Sequence, residues 1–240
     1  MGEFSGTVVD RMQQLVTGWE PQRDRRAVFL SCYALMTGNM LDAVESGQFH
    51  DGVWVSRLLH RFADYYFDAL DLYDHRPDSA PVVWSQAFEA ARNPQMHVLQ
   101  HLILGVNAHI NYDLVFALYD MLHEEWPHLS PAEVLRRYED HGTVNTIIYR
   151  TIDAVQDGII ERYSPFMDVI DKTFLRADEL MLGWLIRRWR EQVWMHTAEL
   201  LTCCHDSEVS ALRGRVSDRT VRRGSAILLD GGLAGLRYLL

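Results

Sequence analysis

His97–Leu118, HVLQHLILGVNAHINYDLVFAL, decides the fold. Apolar residues recur along it at three- and four-residue spacing, the period of a helix, and they cover most of its circumference. That predicts a long helix buried at the centre of a helical protein. His97, His101, His109 and Asp113 stand in it at separations of four, eight and four residues. Positions four apart are offset by about 40°, so each i,i+4 pair shares a side, but the row from His97 through Gly105 to Asp113 turns through roughly 160°. All four side chains meet only if the helix bends or other helices close over it. Gly105 is where a bend or a close backbone approach is expected.

Working outward, the pattern stays helical. Asn93-Pro94 is read as the start of the central helix and Pro127 as its end. Upstream, Val8–Val16, Ala27–Val44, Trp54–Tyr73 and the stripe Trp84, Phe88, Ala91 read as helices, with a turn at Gly47 and Gly52 and a loop over residues 76–81. Downstream, Ser130 and Glu133 form a capping box that opens a helix, and His141-Gly142 is read as its break. Val144–Tyr163, Met167–Cys204 and Asp206–Arg223 follow as helices, then an apolar tail, Ser225–Leu240. No alternating strand pattern is present. The expected architecture is all-α: a single-domain multi-helix bundle, residues 1–240, around a long central helix.

Composition bounds the function. A chain of 240 residues can bury a substantial core, and a formal charge of −10 argues against a nucleic-acid binder, which needs a basic stripe. Cys32, Cys203 and Cys204 are odd in number and two are adjacent, so they form no disulfide framework. With no basic, apolar leader at the N-terminus, the expected location is the cytoplasm. No uninterrupted apolar run reaches the length of a membrane span, so none is expected. The apolar tail from Leu228 to Leu240, if exposed, would favour a homodimer.

The chemistry sits in the His-x3-Asp pairs. His109 with Asp113, joined by His101 or by His60 and Asp64 from another helix, has the residue types of a zinc, iron or manganese site inside a bundle. Equally, Asp113 alone can fix the tautomer of His109 without a metal. Asn107 and Asn111 are mediocre helix formers, and their presence implies side chains aimed at a ligand, a substrate or a neighbouring helix. A faint echo links His60–Asp71 with His109–Asp120, each with Asp four and eleven residues after His and Phe after seven. Asp64, Asp68, Asp71 and Asp74 read as a solvated face. Tyr66, Trp84, Arg190 and Trp194 are candidates for binding substrate, and Arg213–Arg223 for a solvated helix or a partner contact.

Gly105-Val-Asn-Ala-His-Ile-Asn-Tyr-Asp-Leu114 resembles the signature Gly-x-Asn-Ala-His-Ile-Asn-x-Asp-Leu of a bacterial family of helical proteins of unknown function. Arg25–Thr37, Phe62-Ala-Asp-Tyr-Tyr66, Trp84-x3-Phe88 and Arg190-x3-Trp194 are similar to the same family, so the resemblance covers most of the chain. It implies one helical domain and supplies no reaction. A more distant similarity, in site construction only, links His109-x3-Asp113 to zinc-dependent phospholipase C and the S1-type nucleases, which also carry a His-x3-Asp pair on a helix. Those enzymes add a His-x3-Glu pair and an N-terminal Trp ligand that this chain lacks.

Two function classes follow. One is a small-molecule enzyme with a His/Asp/Asn pocket inside a helical bundle. Its metal-dependent form is a hydrolase or oxygenase, and its metal-free form an acid–base cyclase or isomerase. In either, His109, Asp113, Asn107 and Asn111 are the catalytic candidates. The other class is a non-catalytic helical binding or interaction protein.

Overall fold

The computed structural model describes residues 5–93, 96–155, 163 and 172–229. Among them there is no strand. The helices are α1 (Ser5–Trp19), α2 (Arg26–Glu45), α3 (Gly52–His75), α4 (Val82–Ala91), α5 (Val98–Ala108), α6 (Leu114–Leu122), α7 (Pro131–Val155), α8 (Lys172–Thr202) and α9 (Asp206–Leu229). α5 and α6 are one continuous rod, joined through a π-helical turn at His109–Asp113.

The rod is central because little of its surface is polar. Val98, Leu102 and Ala108 enter a core shared with α1 to α4, while Ile103, Leu104, Leu114, Val115 and Leu118 enter a second core with α3, α7, α8 and α9. A helix that is apolar nearly all round is stable only when neighbours cover it on every side. Here α2, α4 and α9 flank α5, and α3 and α8 flank α6. Arg26–Glu45 and Val98–Leu122 are long and apolar enough to cross a membrane by length and composition, and each is largely buried in the bundle. Polar residues break up their apolar runs, so sequence inspection for an unbroken stretch passes over them.

Local signals account for most boundaries. Gly47 adopts φ +71° in the turn after α2, a conformation that glycine takes without strain. Asp51 caps α3 by accepting from the Trp54 N–H (2.9 Å). The capping box at the start of α7 forms as expected: the Ser130 N–H donates to Glu133 Oε2 (2.8 Å).

Three expectations need correction. The central helix begins at Val98, after His97, and not at Asn93-Pro94. The rod is not regular: its irregularity lies at His109–Asp113, where the Leu114 N–H reaches back five residues to His109 O. α7 runs unbroken through His141-Gly142. Tertiary contacts outweigh the weak local propensity there, because buried His141 accepts a hydrogen bond from Arg190 of α8 through Nδ1 (3.2 Å) and donates one to Arg190 O through Nε2 (3.0 Å). The Pro94 start signal, part of the two helices flanking residues 156–171, and the tail beyond Leu229 lie outside the described residues.

Candidate functional site

His109 and Asp113 form a buried pair on the inside of the π-turn. Imidazole Nδ1 lies 2.9 Å from Asp113 Oδ2, and the two residues are 4% and 1% exposed. Trp84 Nε1 donates to both carboxylate oxygens, at 3.1 and 3.0 Å, which fixes the carboxylate from α4. Phe62 of α3 stacks on the imidazole (centroids 3.5 Å apart, 8° between planes), and Tyr33 of α2 meets it at 4.2 Å. The ring is therefore held by a hydrogen bond at one nitrogen and by aromatic faces. Burial pushes the pKa of His109 well down and that of Asp113 well up, the latter partly countered by the Trp84 hydrogen bond. Both shifts disfavour charge on the buried pair. With Nδ1–H donated to the carboxylate, Nε2 carries the lone pair, and that atom has no hydrogen-bond partner among the described residues.

His109 lines a cavity of about 120 Å3 bounded by α2, α3, the rod, α7 and α8. Its wall is mostly carbon: Met36, Met40, Val55, Leu58, Ile110 and Leu114 are typical members. Two side chains of that wall carry a buried polar atom with no partner among the described residues, Trp54 Nε1 and His109 Nε2, while the hydroxyls of Tyr33 and Thr37 interact with each other. Buried polar groups are normally paired, and leaving one unpaired costs on the order of 1–3 kcal/mol. Two such atoms belong to side chains that line one small, mostly apolar cavity.

Arg190 and His141 line the same cavity, as does Asp140. Arg190 is 4% exposed, and its bonds go to neutral acceptors: Nε to Asn145 Oδ1 (2.8 Å) and Nη2 to His141 O (2.7 Å) and Nδ1. Burial lowers its pKa to about 9. Asp140 is engaged elsewhere. Its two oxygens accept from the backbone N–H groups of His50 and Asp51 (2.7 and 3.0 Å), so it holds the start of α3, the helix that carries Phe62. Cys32 also lines the wall, and burial raises its thiol to about 12, which keeps it protonated and unreactive.

The other sequence candidates are placed elsewhere. Asn107 and Asn111 tie the rod to α9. Asn111 Nδ2 donates to Asn107 Oδ1 (3.1 Å), Asn107 Nδ2 to Thr220 O (3.0 Å), and Arg223 Nη1 to Asn111 Oδ1 (2.8 Å). The Thr220 hydroxyl is shared between Val216 O and Asn111 O, a carbonyl inside the π-turn. The amides are thus engaged in packing and do not line the cavity. Trp84 and Tyr66 stand behind the pair rather than in the wall, and Trp194 packs against Tyr138 and His141. His101 is buried but off the cavity, His60 is bonded through Nδ1 to Ser56 O, and Asp64, Asp68, Asp71 and Asp74 are all exposed. Among the described residues no three His, Cys, Asp or Glu side chains are grouped to share a metal ion, so the expected ligand set of His101, His109, Asp113, His60 and Asp64 is not assembled. In the basic run of α9, Arg213 lies over Phe116 and Arg223 reaches Asn111, while Arg215, Arg219 and Arg222 are exposed.

Sequence reading missed Phe62, Tyr33, Thr37, Trp54 and His141. Tyr33 and Thr37 share one turn of α2 and, like Phe62, fall in stretches similar to the family, but nothing local shows that they converge with Trp54 and His141 on a cavity.

The buried histidines make folding pH-dependent. Burial lowers His101 to about 4 and His141 well below 6.5, Arg25 and Arg190 adding to the effect. The unfolded chain therefore binds protons that these folded rings refuse. The stability they contribute is complete above pH 6.5 and is lost as pH falls toward 4. Urea titrations are expected to show a loss of roughly 3 kcal/mol between pH 6.5 and 5.5, about 1 kcal/mol for each of His101, His109 and His141. Equal stabilities at the two pH values would show that the rings are charged when folded.

Residues 6–230 match a family described as of unknown function (DUF5995). No curated protein and no solved structure matches the chain.

Proposed function

We propose that this chain, which belongs to the DUF5995 family of unknown function, is a metal-free acid–base enzyme acting on a small, largely apolar molecule. His109 transfers the proton and Asp113 positions and polarises it. The observation that carries this reading is the unpartnered Nε2 of a buried, neutral imidazole in the wall of an apolar cavity, its other nitrogen locked to a carboxylate.

The pair suits proton relocation. Nε2 takes a proton from a hydroxyl or activated C–H of the substrate, and the imidazolium so formed is stabilised by Asp113 at Nδ1. The same proton then returns to a different atom of the substrate. No co-reactant is needed, and the net outcome is an isomerisation or cyclisation. Phe62, Met36 and the aliphatic wall give the cavity low polarity, which strengthens electrostatic interactions inside. The Gly-x-Asn-Ala-His-Ile-Asn-x-Asp-Leu string acquires a physical sense on this reading: the glycine admits a neighbour, the asparagines anchor the rod to α9, and His with Asp faces the guest.

The test is solvent-deuterium exchange, followed by NMR, into a panel of monocyclic and short-chain ketones, aldehydes and keto acids. The wild-type protein is expected to exchange at least one member about a hundred-fold or more faster than His109→Gln. Equal exchange by the two proteins across the panel would overturn the enzyme reading and leave a binding protein.

A further inference from the structure

The cavity holds a second feature that proton transfer does not use. Arg190 is a nearly fully buried guanidinium with no carboxylate in ion-pair range among the described residues. Its three hydrogen bonds, to Asn145 Oδ1, His141 Nδ1 and His141 O, use Nε and Nη2 only. Nη1 is left over, on a side chain that lines the void. A buried cation without a counter-ion is strongly disfavoured, and neutral acceptors compensate it only in part. His141 and Asn145 nonetheless hold it rigidly, which fixes the direction of its unused N–H groups. Asp140, the one carboxylate in the cavity wall besides the shell behind His109, does not neutralise it: both its oxygens are bonded to the backbone at the start of α3.

The remaining unpaired groups narrow the guest. Trp54 Nε1, which has no partner among the described residues, can only donate. With the guanidinium of Arg190, this places donors on the α8 and α3 sides of the cavity, which call for an oxygen acceptor. The size of the void, about 120 Å3, is close to the roughly 150 Å3 that encloses one benzene ring. The wall around these groups is aliphatic and aromatic.

We infer that the cavity is a binding site for a small monocarboxylate with an apolar body of about one ring, its carboxylate on Arg190 and its apolar part against the methionine- and leucine-lined wall. This deepens the acid–base reading by naming its substrate class, yet it concerns binding and stands without turnover.

The experiment uses the full chain, with benzoate, hexanoate, benzamide, benzyl alcohol and dodecanoate as probes, in isothermal titration at pH 7.5. Benzoate and hexanoate are expected to bind at least ten-fold more tightly than benzamide and benzyl alcohol, and dodecanoate not to fit. Arg190→Gln is expected to erase the preference for the charged probes, and Val144→Trp, which fills the void, to abolish binding of all of them. Arg215→Gln, at an exposed arginine of α9 outside the cavity, is expected to leave benzoate binding within a few-fold of wild type. Failure of the acid–base reading therefore shows in the exchange assay, and failure of this one in the titration. Equal binding of benzoate and benzamide by the wild-type protein, which requires no variant to fold, would overturn the inference. Benzoate binding that survives Val144→Trp would do the same.

Discussion

Asp113→Asn keeps the fold and inverts the imidazole. The introduced amide can still accept from Trp84 Nε1 through its oxygen, but its nitrogen now donates to His109 Nδ1, where the carboxylate had accepted. The proton of the ring must move to Nε2, and the lone pair aimed at the cavity is lost. A tautomer inversion of this kind in the serine-protease triad lowers the rate about 10⁴-fold, and a comparable loss is expected here for any proton transfer by His109. The direct readout needs no substrate: imidazole 15N shifts should show wild-type His109 protonated at Nδ1 and bare at Nε2, and the variant the reverse. Asp113→Ala goes further. It strands the Trp84 N–H and His109 Nδ1, each at about 1–3 kcal/mol, and opens a void, so a loss of about 4 kcal/mol of stability is expected in chemical denaturation. A wild-type ring protonated at Nε2 would contradict the pairing on which the site depends.

Gly105→Ala is expected to destabilise the protein by about 3 kcal/mol, even though alanine is the better helix former. A Cβ at this position would lie 2.4 Å from both Cγ and Cδ2 of Phe29, far inside van der Waals contact. Phe29 cannot retreat cheaply, because its ring is wedged against Tyr33, Tyr66, Trp84 and His109. The sign should reverse when that ring is removed. In a Phe29→Ala background, itself down by about 3–5 kcal/mol, Gly105→Ala should be neutral or stabilising by up to about 1 kcal/mol. A double-mutant cycle by urea denaturation measures the coupling; additivity within about 0.5 kcal/mol would show that close packing is not why glycine stands there.

These two positions show what a one-dimensional reading can and cannot reach. The i,i+4 spacing of His109 and Asp113 on an apolar helix is enough to pair them, and the pair forms. Gly105 marks a close approach, as the spacing suggests, but Phe29, the residue that approaches, lies 76 positions upstream in the sequence. Asn107 and Asn111 stand out for the same reason as the histidine, yet they face Thr220 and Arg223 across the rod from the cavity. Two residues from His109 in either direction, they fall about 200° round the helix from it, on the opposite face. His141-Gly142 has the composition of a break, and a guanidinium from α8 overrides it. The partners of the cavity come from α2, α3, α7 and α8, and convergence of that kind is a property of packing, not of any local pattern.

The π-turn also sets how the rod behaves as a screw. One extra residue in a turn advances everything beyond it by about 100° relative to a regular helix. Leu114, Val115 and Leu118 therefore meet α3 and α8 at an azimuth that an uninterrupted α5 could not give them. Within the turn His109 lines the cavity while Asn111, two positions on, bonds to α9 on the other side. The rod is in effect two cylinders keyed together with a fixed angular error, and one piece of chain serves a reactive face on one side and a seam on the other.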